Sequence, residues 1–349
     1  MRTLVSLALL MASVAAPAQG YKEVKRWVAG CDNTRHCTAV GFAPTGAGSY
    51  AFLHFERGGR SNDAVTRITL RVDHPLSREI YWILQADDAE LLQFNDSHLV
   101  DADSGEGIDV VITDPDEIAA MFGAMRGADT LTLVGDGGPV GTISLSGASA
   151  ILLWIDEQQR RLGTTTAFVR KGEQPTSSIP APPAPPQLRA SAGGRALDEV
   201  EASRLGQLVR ETLEGDECEE IDYDTLLRDS AFELADGRTL VQLVCYVAAY
   251  NSGSSWFLLS QGAQPQRIAF PLPRDDGSMT VDGDLVNADF DPATGVLSMF
   301  GKGRGIGDCG ASGQWVWTEQ GFDLVEYRRM GECAGVTPDY WPMLYRSAR

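Results

Sequence analysis

Histidine is scarce in this sequence: there are four, at positions 36, 54, 74 and 98, and none follows residue 98. The second half therefore has no imidazole, which excludes Ser-His and Cys-His nucleophilic pairs and histidine-ligated metals from that half. Basic residues are also in deficit, 29 Lys and Arg against 48 Asp and Glu, for a formal net charge of −19. Nucleic acid and anionic lipid are poor partners for so acidic a chain, because their phosphates would be repelled. Long apolar runs are missing as well. The longest, Leu4 to Ala16, falls short of the ~18 uninterrupted apolar residues a membrane-spanning helix requires.

That run belongs to a leader. "MRTLVSLALLMASVAAPAQG" joins one charge, Arg2, to the apolar stretch and to the small residues Ala16-Pro17-Ala18. It reads as a secretory signal peptide, residues 1–18, cleaved after Ala18. Its removal takes away one base and brings the net charge to about −20. Val28-Ala29-Gly30-Cys31 resembles a lipoprotein cleavage box, but Lys22, Lys25 and Arg26 separate it from the apolar run. The expected location is the periplasm, or the medium after secretion.

Export makes the six cysteines readable as disulfides rather than metal ligands or reactive thiols. Cys31 and Cys37 stand alone in the first half and can close a short loop. The other four, Cys218, Cys245, Cys309 and Cys333, allow three connectivities. Closeness in sequence favours Cys218–Cys245 and Cys309–Cys333, each contributing ~3 kcal/mol through loop entropy of the denatured chain.

The segment 172–194, "GEQPTSSIPAPPAPPQLRASAGG", holds six prolines and almost no large apolar side chain, so it reads as an extended, semi-rigid linker. It separates a domain over 19–171 from one over 195–349. In the first, "SYAFLHFE", "VTRITLRVD", "REIYWILQAD", "AELLQF" and "DTLTLVGD" have strand patterning. Two helices are expected there, in "DPDEIAAMFGAMRGA" and "GASAILLWIDEQQRRLG". The second domain opens with a helix whose Val200, Leu205, Leu208, Val209 and Leu213 fall close to one face. Strands follow it at short intervals, beginning with a hairpin around Asp236-Gly237. The fold class is mainly β (α+β): two antiparallel β-sandwich or sheet domains with a few short helices.

One motif bears directly on enzymatic function. Gly305-Ile-Gly307-Asp308-Cys309-Gly310 fits the G-x-G-x-x-G pattern, with Lys302 and Arg304 nearby. A dinucleotide loop must leave a strand and enter a helix, whose free N–H groups hold the pyrophosphate. Here the following "ASGQWVWTE" has strand character, so the glycines are assigned to a tight turn. On this reading Lys302 and Arg304 are exposed charges of little energetic weight, while Gly305 and Gly307 occupy conformations closed to other residues. Lys302, Arg304 and Asp308 stay as candidate contacts for a ligand.

The remaining constellations are weaker. His54-x-Glu56 and His98-x-x-Asp101 have metal-like spacing but form no complete ligand set. Asp282, Asp284, Asn287, Asp289 and Asp291 are oxygen donors without the order of an EF-hand, so a turn is preferred over calcium. Ser312 and Asp308 are the sole parts of a hydrolase alternative, and no base is indicated for them. The run 211–224 carries eight acids and no base. Such a run is ordinarily a solvated face. As a function it would dock a cationic protein or peptide, in the manner of a lysozyme inhibitor, through Glu217, Glu219 and Glu220.

Four segments, "WVAGCDNTRHCTAVGF", "DFDPATGVLSMFGKGRGIGDCGASGQWVW", "FDLVEYRRMGEC" and "DYWPMLYR", closely resemble the bacterial domain of unknown function 1176 family over most of the mature chain. The first half also looks similar to the invasion-associated locus B family, in Trp27, Cys31 and residues 138–164, though it lacks further cysteines expected there. The resemblance implies an exported envelope protein of β-rich fold, with no catalytic residue and no cofactor to carry over. The expectation is a non-enzymatic protein that acts by binding.

Alkylation and mass measurement of the unreduced mature protein should find no free thiol. More than one labelled cysteine per chain would refute the disulfide scheme, and a lipid on Cys31 would restore the lipoprotein alternative.

Overall fold

The computed structural model describes residues 20–48, 50–78, 80–101, 108–213, 218 and 228–348. The leader and the acids Glu217, Glu219 and Glu220 lie outside the described residues. The architecture is mainly β, with several antiparallel sheets and three α-helices among the described residues.

The first half is built on a seven-stranded sheet. Its spatial order is Gly20–Val24, Trp27–Cys31, Cys37–Phe42, Ala51–Arg57, Ile68–Val72, Ile108–Ile112 and Leu99–Asp101. A four-stranded sheet in the order Gly138–Ser144, Thr130–Gly135, Trp82–Ala86 and Ala89–Phe94 packs against it through Trp27, Phe55, Trp82, Leu131 and their neighbours. The helices Pro115–Gly127 and Ala148–Gln158 complete that core with Met121, Ile151, Leu152 and Ile155. Asp114 caps the first helix by accepting from the N–H groups of Asp116 and Glu117, and Pro115 occupies its first turn, where no N–H partner is lost.

Within this core sits a buried ion pair. Arg57 Nη2 donates to Asp156 at 2.8 Å, both side chains being almost fully buried. Asp156 also accepts from the N–H groups of Phe168 and Val169, and the guanidinium lies 3.5 Å over the Phe168 ring. Burial lowers the pKa of Arg57, opposed by the charge of Asp156. So complete a set of partners is what a buried pair needs to offset its desolvation.

In the second half, the sheet of Ser230–Glu233, Thr239–Val247 and Ser252–Leu259 faces another formed by Val296–Lys302, Gly310–Thr318, Gly321–Met330 and Met343–Arg346. Trp256, Phe270, Trp315, Trp317 and Phe322 fill the space between them. The helix Glu199–Arg210 covers the outer face through Ala202, Leu205 and Val209. The expected apolar stripe needs correcting here: Val200 and Leu208 are exposed. Positions 202, 205, 206 and 209 follow the 3.6-residue period more closely, so small Ala202 and Gly206 face inward instead.

The halves share a third cluster. Val28, Val40, Phe42 and Phe52 on the outer face of the seven-stranded sheet meet Val336, Tyr340, Trp341 and Leu344 from the C-terminal segment. The strands Trp27–Cys31 and Cys37–Phe42 are consequently buried at every residue. The proline segment is fastened along its length. Pro180 O accepts from Arg35, Pro186 O from the Ala348 N–H, and Pro292 O receives the Gly194 N–H. Three disulfides, Cys31–Cys37, Cys218–Cys245 and Cys309–Cys333, agree with the favoured pairing. Cys31 therefore has no free thiol for a lipid.

Trp341 is fully buried, stacks on Phe300 at 5.6 Å and donates its indole N–H to Val336 O at 2.9 Å. Trp341→Ala should cost about 3–5 kcal/mol by urea denaturation. A loss below about 1 kcal/mol would show that the shared cluster contributes little to stability.

Candidate functional site

The glycine motif forms a hairpin between Val296–Lys302 and Gly310–Thr318, with Lys302 opposite Gly310. A strand follows the glycines, so the backbone N–H groups of a helix N-terminus are not presented there. The Gly303 N–H bonds to Cys309 O and the Gly307 N–H to Arg304 O, closing the turn on itself. Gly307 has φ +70°, in the left-handed region. Gly305 does not, and a side chain there would meet its nearest neighbour, Tyr250, at 3.7 Å. The expected conformational requirement thus holds for Gly307 and is corrected for Gly305. Gly310, at φ +134°, is more constrained, because a Cβ would lie 2.0 Å from Gly301 O.

Arg304 also has more weight than an exposed charge. It forms a two-point ion pair with Asp308, a residue only 6% exposed, and Asp308 accepts the Gly335 N–H at 2.6 Å. Burial pushes the Asp308 carboxyl up, but the Arg304 bonds and the Gly335 N–H outweigh it and hold the pKa below its usual value. Arg304 continues outward to Tyr50, donating to its hydroxyl at 3.1 Å and lying 5.5 Å over its ring. Lys302 is fixed through its backbone, which exchanges bonds with Asn251.

Tyr50 is the feature the sequence reading missed, since 254 residues separate it from Arg304. It stands as a partly exposed wall between two hollows. One, of about 370 Å³, is bordered by Tyr50, Phe52, Arg71, Asp73, His74 and Gly335. Its Arg71 is held by Asp109 at 2.6 and 2.8 Å, and the Tyr340 hydroxyl donates to the same carboxylate at 2.8 Å. The other, of about 320 Å³, is bordered by Arg26, Thr45, Tyr50, Glu332 and Cys333. Arg26 pairs there with Glu332 at 2.7 Å. Aromatic faces beside fixed charges suit a small ligand with an apolar face and several hydrogen-bonding groups.

The other candidates disperse. Glu56 does meet His54, at 3.7 Å, and His36 joins from the neighbouring strand's approach at 3.1 Å. Burial pushes the Glu56 carboxyl up, and the bonds and charges of both imidazoles hold it well below the usual range. His98 turns to Asn95 and Glu117, whereas Asp101 pairs with Arg78. Asp284 takes Arg267 and Ser255, Asn287 takes the Ser252 N–H, and Asp291 takes Ala293 and Thr294. Asp282 and Asp291 thus serve local turns, while Asp284 and Asn287 reach across to the strand Ser252–Leu259. Among the described residues, the cluster with metal-like spacing is Asp308, Cys309 and Cys333, whose sulfurs are bonded to each other. Ser312 sits within a strand, opposite Phe300 and Arg328.

Replacing Arg304 with alanine leaves Asp308 buried with one partner. It should cost about 1–2 kcal/mol, moderated because Arg304 is about one-third exposed. Lys302→Ala should stay within ~0.5 kcal/mol. The Asp308 contribution should be present above the unfolded-state pKa, about 3.9, and fade as acid protonates the folded carboxyl. Wild type and Asp308→Asn should therefore converge in stability at low pH. A constant difference across the acid range would refute the linkage.

The chain matches the family described as Protein of unknown function (DUF1176) over residues 21–348. It is 31% identical over 342 residues to the Uncharacterized protein YpfG of Escherichia coli (strain K12), covering 95% of this chain and 93% of that protein. No solved structure matches it. A profile match over nearly the whole chain, joined by a full-length relative, places this protein in the DUF1176 family.

Proposed function

We propose that this chain is an exported, non-enzymatic protein of the bacterial envelope that acts by binding. The observation that carries the location is the cysteine chemistry. All six cysteines are paired, and disulfides of this kind persist in the periplasm or outside the cell. The leader-like residues 1–18 fit the same location.

Binding is favoured over hydrolysis by what the candidate groups are doing. Asp308 is engaged by Arg304 and Gly335, and Ser312 is set in a ladder with no imidazole anywhere in its half of the sequence. The hollows flanking Tyr50 supply concave surface without asking those residues to react. The finer reading is a cationic partner protein or peptide, steered by the net charge and docking at Glu217, Glu219 and Glu220.

Osmotic-shock fractionation tests the location: a chain beginning at Gln19 should appear in the periplasmic fraction, and retention of residues 1–18 in the cytoplasm would refute export. Capture of basic proteins should fail in 1 M salt, where the Debye length falls to ~3 Å. It should also fail when Glu217, Glu219 and Glu220 are changed to glutamine, and capture indifferent to both changes would reject the acidic footprint.

A further inference from the structure

A third hollow, of about 790 Å³, lies away from Tyr50, between residues 58–63 and the proline segment 179–185. Arg346 from the C-terminal strand and Thr34 and His36 from the first half complete it. Its two walls differ in kind. Ile179, Pro182, Pro183 and Pro185 present apolar surface, and the prolines have no N–H to offer. The opposite wall presents Arg60, Ser61 and Asn62, all hydrogen-bond donors.

The charge here runs against that of the whole molecule. Asp63 is the sole carboxylate on the lining, and it already accepts the Arg60 N–H at 2.8 Å. The Arg60 guanidinium has no ion-pair partner among the described residues, whereas Arg346 is paired with Asp32. Beneath the lining lies Arg35, only 8% exposed. Its Nη1 donates to Pro180 O at 3.0 Å, its Nε has no partner, and no carboxylate neutralises it among the described residues. A buried cation without a counter-charge is costly. Arg35 is also held at φ +60°, a strained conformation for a residue with a side chain.

This wall is set in advance. Arg161, fully buried, donates to the carbonyls of Arg60, Ser61 and Asp63. Gln159 donates to those of Arg35 and Arg57 at 2.9 and 2.8 Å. A preformed hollow of this size is in the range of small-molecule sites, and rigid walls reduce the ordering cost of binding.

We propose that this groove binds a small amphipathic anion, a carboxylate or phosphate monoester on an apolar body. The anion would lie against Arg60, Ser61 and Asn62, above the Arg35 charge, with the apolar body along the prolines. The assignment is independent of the hollows at Tyr50 and of the acidic footprint.

Isothermal titration of the full mature chain with octanoate and with octyl phosphate tests it, octylammonium and octanol serving as controls. Saturable one-to-one binding of either anion is expected, and which of the two binds identifies the head group. Arg60→Glu should weaken that binding at least tenfold and Arg60→Lys much less. The Arg60 side chain makes no hydrogen bond or ion pair among the described residues, and near-UV circular dichroism checks that both variants keep native packing. Absence of saturable binding of both anions at millimolar concentration would overturn the proposal. So would equal affinity in Arg60→Glu, or octanol or octylammonium binding as well as the anions.

Discussion

Burial of Trp341 is the constraint on which the arrangement of the two halves depends. Its indole can leave water only if Phe300 of one half and the outer face of the seven-stranded sheet of the other converge on it. A fully buried aromatic of this size is among the larger single contributions available to a fold. With Trp341 in place, its neighbours are positioned as well. Gly335 reaches Asp308, Tyr340 reaches Asp109, and Arg346 reaches Asp32. The same short segment supplies Gly335 and Cys333 to the hollows at Tyr50 and Arg346 to the proline groove. The candidate binding surfaces are thus consequences of one packing event.

Those three carboxylates show how a strongly acidic chain holds its seam together. Asp32, Asp109 and Asp308 are all nearly buried, at 0%, 2% and 6% exposed. Each takes an arginine, Arg346, Arg71 and Arg304 respectively. Of these pairs, Arg346–Asp32 joins the two halves, so a displaced C-terminal strand would take the arginine from buried Asp32. Arg71–Asp109 and Arg304–Asp308 each lie within one half and present a formed carboxylate to Tyr340 and Gly335.

Much of this fold was legible in the sequence where one sheet face meets solvent. Ala89–Phe94 and Gly321–Met330 coincide with the strands their patterning indicates. The strands Trp27–Cys31 and Cys37–Phe42 were not read as such, because burial on both faces erases alternation and leaves a continuous apolar run punctuated by cysteines. Arg304 and Asp308, four residues apart, could be seen as candidates together. Tyr50 and Arg35 could not, since their significance comes from contacts with Arg304 and Pro180 that no local pattern records. Composition likewise marked the proline segment as extended, yet could not show that it forms one wall of a groove.

The central claim, that the C-terminal segment welds the halves into one cooperative structure, is tested most directly by hydrogen–deuterium exchange of the full mature chain across a urea series. Peptides from the seven-stranded sheet and from Gly310–Thr318 and Gly321–Met330 should lose protection at a common midpoint. Separate midpoints, with the first half protected after the second has opened, would contradict it.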